Sequence, residues 1–225
     1  MASDPDYARF FPYEEPYDHQ REAIEGIADA LEAGSDVLLE GATGTGKTLA
    51  ALTPALEFAR RTDKTVVITT NVHQQMRQFV ADARQITEQE PIRAVVFRGK
   101  GSMCHIDVGY EECQALRETT RDLVDSEAEQ ADLERRQREL LDAGQEGDSE
   151  AAEARSAVMD ELDVVAEEIE TLKEEQATCD HYYRNLTADT DEFYGWLYDD
   201  VRTPDQVYEY AERQGLCGYE LLKEG

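Results

Sequence analysis

Two sets of residues in this chain have the type and spacing to do chemistry. The first is Gly41-Ala42-Thr43-Gly44-Thr45-Gly46-Lys47-Thr48, which fits the phosphate-cradling pattern G-x-x-x-x-G-K-[ST]. Gly41, Gly44 and Gly46 let backbone N–H groups approach phosphate oxygens. Lys47 has the reach for the β- and γ-phosphates, and the Thr48 hydroxyl suits Mg²⁺. Upstream, Gln20 in "PYDHQ" either reads an adenine edge through the donor and acceptor of its amide or is a first-turn surface residue. Downstream, Thr70 and Asn71 end an apolar run with a hydroxyl and an amide. These either hold a nucleic-acid backbone or simply close the run in a polar turn.

The second set is Cys104, Cys113, Cys179 and Cys217, with 8, 65 and 37 residues between successive pairs. The absence of C-x-x-C argues against a zinc ribbon or a redox dithiol. In a reducing compartment, thiols serve as metal ligands or as small buried apolar groups more often than as disulfides. A Cys₄ site holding zinc or an iron-sulfur cubane and a set of buried cysteines are both open on spacing alone. His105 and His181 lie close to cysteines but are not assigned as ligands.

Hydrophobic periodicity places both sets on elements. Ile24, Ile27, Ala28 and Leu31 recur at helical spacing, and Gly34 suits a C-cap. Residues 36–40 (DVLLE) read as a strand leading into the glycine loop, and the following "TLAALTPALEFARR" reads as a helix despite Pro54. Residues 65–70 and 92–97 read as further buried strands around a helix over 72–86, so the expected fold is α/β with a parallel sheet. A helix after the loop adds its N-terminal partial charge to the phosphate site. Beyond Gly99 no buried strand is evident, which puts a domain boundary there: 1–99, then 100–225. In the second part Val158, Leu162, Val165, Ile169 and Leu172 step at coiled-coil spacing. Leu116, Leu123, Leu133, Leu140 and Leu141 give an earlier helix an apolar face, and 143–150 (AGQEGDSE) supplies the turn of an acidic hairpin over about 118–177.

The 225 residues carry 51 Asp and Glu against 22 Lys and Arg, a formal net charge of -29, and only 5 of the 22 cations are Lys. Such a surface is suited to very high salt, where a Debye length of about 3 Å at 1 M screens self-repulsion. The chain therefore reads as halophilic. No apolar run approaches the roughly 20 residues needed to span a bilayer, and the N-terminus lacks the basic and apolar regions of a signal peptide. A soluble, cytoplasmic protein with no membrane partner is expected.

The ordered set "PYDHQ", "GATGTGKT", "VVITTNVHQQ", "GKGSMC" and "RQGLCGYELL" resembles the XPD-like and DinG-like iron-sulfur helicases of superfamily 2, over nearly the whole chain. The resemblance implies a partial RecA-like motor domain with an inserted, mostly helical iron-sulfur domain, and ATP, Mg²⁺ and a [4Fe-4S] cluster as cofactors. It also implies single-stranded or forked DNA as substrate and 5′-to-3′ movement. Carried over residue by residue, Cys104, Cys113, Cys179 and Cys217 match the cluster ligands, and Lys100, with Arg98 nearby, matches a basic position linking cluster and DNA. Gly218 departs from the proline usual after the last ligand, and the hairpin is long. Rival readings are another phosphate-loop hydrolase with a zinc-stapled insertion and a binding module without turnover. Tyr182, Tyr183, Phe193, Tyr194 and Trp196 either stack on unpaired bases or form a small core. An ATPase also needs a strand ending in an acidic pair and an arginine from a second motor domain. Neither is found in this sequence, the nearest lookalike being "VVAEE" on the coiled-coil seam. The chain alone is expected to bind nucleotide weakly without DNA-stimulated hydrolysis.

Overall fold

The computed structural model describes residues 6–143, 149–174 and 177–224. Two units divide the chain: Met1–Val96 with Trp196–Thr203, and Phe97–Gly195 with Pro204–Gly225.

The first unit contains a 3₁₀ turn over Asp6–Phe10, then α1 (Asp18–Ala33), α2 (Lys47–Thr62) and α3 (His73–Thr87). The Gln20 Oε1 atom accepts from the Tyr17 N–H at 3.3 Å, satisfying one of the orphan donors at the start of α1. Gly34 ends the helix at φ 65°, a left-handed conformation that costs glycine nothing, and its N–H returns to the carbonyls of Ala30 and Leu31. Ile24 on α1, Leu49, Ala50 and Leu52 on α2, Ile86 on α3, and Phe10 and Phe11 form the unit's main core.

The parallel sheet of a RecA-like α/β motor domain, expected from the sequence, is not formed: no strand exists among the described residues. Residues 36–40, 65–70 and 92–97 are irregular chain. A strand persists only when its N–H and C=O groups pair with a neighbour and its apolar side chains are covered. Leu38 is 98% exposed and Val67 80% exposed, so the first two runs lack that cover. The third behaves differently, because Ile92, Ala94 and Val96 pack at alternate positions against a small core of Val80, Ala83 and Val201. That period of two is a strand's side-chain pattern without a strand's hydrogen bonds.

In the second unit lie α4 (Tyr110–Ala143), α5 (Ser149–Glu174), α6 (Asp180–Thr187), α8 (Pro204–Gln214) and α9 (Gly218–Glu224). α7 (Asp191–Asp199) has residues in both units. Val158, Val165, Ile169 and Leu172 on α5 pack with Leu123 and Leu133 on α4, with Leu140, Leu162 and Tyr183 at the margin. Two members of the expected α4 stripe lie elsewhere: Leu116 packs with Cys179 and Tyr182, and Leu141 is 49% exposed. Most of the turn expected over 143–150 and part of the hairpin's end lie outside the described residues. Glu127 on α4 joins the helices by charge, receiving Lys173 Nζ at 2.5 Å and the Tyr183 hydroxyl at 2.6 Å. Burial pushes its carboxyl up, but these two donors outweigh that and hold it below the usual glutamate range. Among the described residues no helix is long and apolar enough to cross a membrane.

The seam carries the hairpin's stability. Ile169→Ala is expected to destabilise the second unit by about 2–4 kcal/mol through lost burial and a residual cavity. Glu168→Ala, on the solvent face, should fall within about 0.5 kcal/mol of the parent. Chemical denaturation at fixed salt checks both.

Candidate functional site

The glycine loop precedes α2, whose first residue is Lys47. Gly44 and Gly46 have φ of 86° and 75°, a region that side chains rarely adopt, so these positions require glycine for their conformation. A second constraint acts on Gly46: a Cβ there would lie 2.4 Å from Gln20 Nε2. That nitrogen donates to the Gly46 carbonyl at 3.0 Å, so the buried Gln20 side chain ties the start of α1 to the loop. Both amide atoms of Gln20 are thereby engaged within the protein.

Lys47 has folded back on its own loop. Its Nζ donates to the carbonyls of Gly41 and Ala42, each at 2.6 Å. Thr45 Oγ1 donates to the Ala42 carbonyl at 2.9 Å, so three side-chain hydrogen bonds hold the loop on backbone oxygens. The two Lys47 bonds are ion–dipole contacts to neutral oxygens, which lack the charge–charge attraction that an anionic acceptor would add. Residues 41–45 are exposed, and Thr48 follows Lys47 in the first turn of α2.

The nucleic-acid candidates divide between the units. Thr70 Oγ1 donates to Gln75 Oε1 at 2.7 Å and accepts from the Val72 N–H at 3.2 Å, closing the chain into α3, and Asn71 beside it is exposed. In the second unit Arg98 forms a two-pronged pair with Asp205, at 2.5 and 2.8 Å. Lys100 lies 3.2 Å from Glu220 Oε1.

The four cysteines, all free, fall in the second unit and share one electrostatic neighbourhood. Burial pushes the Cys179 thiol up, opposed by N–H groups of Tyr182 and His181 that donate to its sulfur, and nearby Cys113 and Cys104 push it further. Burial likewise raises the Cys217 thiol to about 11, with Cys179, Glu220 and Cys113 adding to the effect and the Glu220 N–H opposing it. The backbones of these two residues are pinned by side chains. The Cys179 N–H donates to the buried Thr120 Oγ1 at 2.9 Å, while Asn185 accepts from the Cys217 N–H at 2.8 Å and donates to its carbonyl at 3.0 Å. Among the described residues no three His, Cys, Asp or Glu side chains are grouped so as to hold a metal ion. In its favour the donor set has four free thiols, of which Cys179 lies in electrostatic reach of the other three, and two of them already accept N–H bonds, as a ligating thiolate does. The rings of His105 and His181 lie 4.9 Å apart beside Tyr208, and neither His105 nitrogen has a protein partner.

Glu220 is the functional residue that sequence reasoning missed. Its side chain is 3% exposed and meets Lys100 and Arg117 at 3.2 Å on one oxygen and Lys223 at 3.2 Å on the other. The available signal was proximity: Lys100 precedes Cys104 by four residues, Arg117 follows Cys113 by four, and Glu220 follows Cys217 by three. One buried carboxylate thus joins three cysteine segments. Gly218 also has a local reason, since a Cβ there would meet Ala211 Cβ at 3.0 Å and Val207 Cγ1 at 3.2 Å where α9 packs on α8.

Comparison with known proteins follows this geometry. Residues 17–187 match the DEAD/DEAH box helicase family. Over 70 residues the chain is 39% identical to the ATP-dependent DNA helicase YoaA of Escherichia coli strain K12, covering 31% of this chain and 10% of that protein. Over 67 residues it is 34% identical to a Methanocaldococcus jannaschii protein named "Probable ATP-dependent helicase MJ0942", covering 30% of this chain and 10% of that one. The chain therefore spans about a tenth of the length of each of these relatives. No solved structure matches significantly.

The raised Cys217 thiol sets a pH dependence for the metal-free chain. Its folded value lies above the ordinary 9.0, so its contribution to stability is fully present below pH 9.0 and is lost as pH rises to about 11. Thermal melts across this window should show Cys217→Ser losing less stability than the parent.

Proposed function

Because the chain belongs to the DEAD/DEAH box helicases, we propose that it supplies the nucleotide loop and a [4Fe-4S]-bearing wedge to an ATP-dependent DNA helicase moving 5′ to 3′ on single-stranded or forked DNA. The observation that carries the reading is the loop itself, in which Lys47 at the start of α2 rests on the Gly41 and Ala42 carbonyls. On binding ATP, Lys47 exchanges those carbonyls for the β- and γ-phosphates, and the α2 N-terminus adds N–H donors. Thr48 would help to hold Mg²⁺, whose charge would neutralise the phosphates. Gln20, fastened to Gly46, transmits a change in loop position to α1.

Cys104, Cys113, Cys179 and Cys217 would hold the [4Fe-4S] cluster, which supplies a covalent staple for the second unit and need do no redox chemistry. The reading is supported by the four free thiols and by the Glu220 ion pairs that draw three of their segments together. Thr70 and Asn71 in the first unit and, taken separately, Arg98 and Lys100 in the second are the nucleic-acid contacts in this reading. The acidic, lysine-poor surface fits a cytoplasm of very high salt. The chain by itself binds nucleotide without DNA-stimulated turnover.

Lys47→Ala tests the nucleotide reading, since it removes the cation and leaves α2 a good helix former. Nucleotide affinity should fall by at least about tenfold with the helical circular dichroism unchanged, and equal affinity in parent and variant would refute the assignment. For the cluster, anaerobically purified protein should be brown with about four irons per chain, and Cys104→Ser should bleach it. Colourless protein carrying stoichiometric zinc would refute the iron assignment while leaving the nucleotide site standing.

A further inference from the structure

Four residues on one face of α4, Tyr110, Gln114, Arg117 and Arg121, step by four, three and four positions and so lie one above another along the helix. Together with Lys100 and Glu118 they line a cavity of about 170 Å³ that opens to solvent. Three cations in one small wall run against the composition of a chain with more than two acids for every base.

Lys100, Arg117 and Lys223 all converge on Glu220, so one carboxylate serves three cations. Arg121 adds a further positive charge, its Nε donating to the Tyr182 hydroxyl at 2.8 Å and its guanidinium lying over the same ring. Glu118 is the acidic member of the cavity wall. Arg117 Nε is buried without a hydrogen-bond partner, a donor that the fold has left unused. At the rim Tyr110 is 72% exposed, with Lys100 Nζ 5.8 Å from its ring centroid, so an aromatic face stands beside the cationic wall.

The geometry points to a binding site for one nucleotide unit of a single-stranded nucleic acid, with a backbone phosphate against Lys100, Arg117 and Arg121, and the adjoining base stacked on Tyr110 within hydrogen-bonding reach of Gln114. The inference rests on the helicase reading and adds to it four residues of α4. An unpaired base is required because stacking needs an open face, which a duplex does not present. The buried Arg117 Nε gains an acceptor in the phosphate, and the guanidinium forks suit its oxygens.

Binding of a fluorescein-labelled oligothymidylate to the whole chain, followed by anisotropy across a KCl series, tests the site. Gln114→Glu places a carboxylate in the cavity from an exposed position, and Tyr110→Ala removes an exposed ring, so neither disturbs the core. Gln114→Glu should weaken the strand about tenfold and flatten the salt slope by about one. Tyr110→Ala should weaken it at least about fivefold at every salt concentration. Arg135→Gln, on the exposed hairpin, should bind as the parent does, and all three should retain nucleotide binding at the Lys47 loop. If the parent binds the strand and both cavity variants bind it equally well, the site is refuted while the helicase reading stands. If the parent binds no strand at any salt, the nucleic-acid reading and the site fall together. If inorganic phosphate displaces the strand at millimolar concentration, or a duplex binds as tightly, the cavity is a general anion site and the inference is overturned.

Discussion

The buried carboxylate of Glu220 is the constraint on which the second unit depends. An ionised group at 2% exposure is costly unless the surrounding protein replaces its lost hydration. Here the replacement comes from Lys100, ahead of Cys104, from Arg117 on α4, and from Lys223 on α9 itself. Sequence separations of 120 and 103 residues are bridged in that one contact, so a segment that drifts leaves a buried charge unpaired. The consequence reaches Lys100 and Arg117, where burial depresses the charged form but the Cys113 and Glu220 neighbourhood more than restores it. The clasp therefore gathers three of the cysteine segments, and Thr120 and Asn185 set the backbone at the third and fourth cysteines.

The first unit is organised on a different principle. Its loop satisfies itself, with Lys47 and Thr45 spending their donors on loop carbonyls and Gln20 holding the Gly46 carbonyl from α1. A cationic side chain resting on neutral backbone oxygens is stable enough to order the loop and weak enough to be displaced by phosphate. Gly46 sits where both demands meet, since its positive φ starts α2 and its missing Cβ admits Gln20.

What was legible in the sequence is what local pattern decides. α1 with its Gly34 cap, the helix opening at Lys47, and the Val158-to-Leu172 seam all follow from helical spacing and glycine chemistry, and all are present. The sheet was not legible correctly, because an apolar run such as 36–40 states a preference, whereas a strand depends on a neighbour that the run does not encode. Leu116 shares the leucine stripe of the earlier helix. It turns to Cys179 and Tyr182 because α4 begins at Tyr110, earlier than the leucines alone indicate, and its first turns belong to the thiol region. Glu220 was illegible for a related reason: an isolated glutamate among 51 acidic residues carries no mark of burial. Only the convergence of distant cations distinguishes it.

That convergence also changes the meaning of the chain's charge. A net charge of -29 is a property of the whole surface and would repel a polyanion at low salt. Screening with a Debye length of about 3 Å at 1 M cancels such a long-range field but leaves contacts within hydrogen-bonding distance intact. In that regime, recognition depends on where the few cations are gathered rather than on their number. Arg dominates the basic residues, and its weakly hydrated, planar fork is the better partner for an oxyanion at close range. Lys100, Arg117 and Arg121 concentrate three of the 22 cations on one cavity wall, against a surface acidic elsewhere. Once salt has screened the acidity, short-range donors gathered on one wall are what remains to meet an oxyanion.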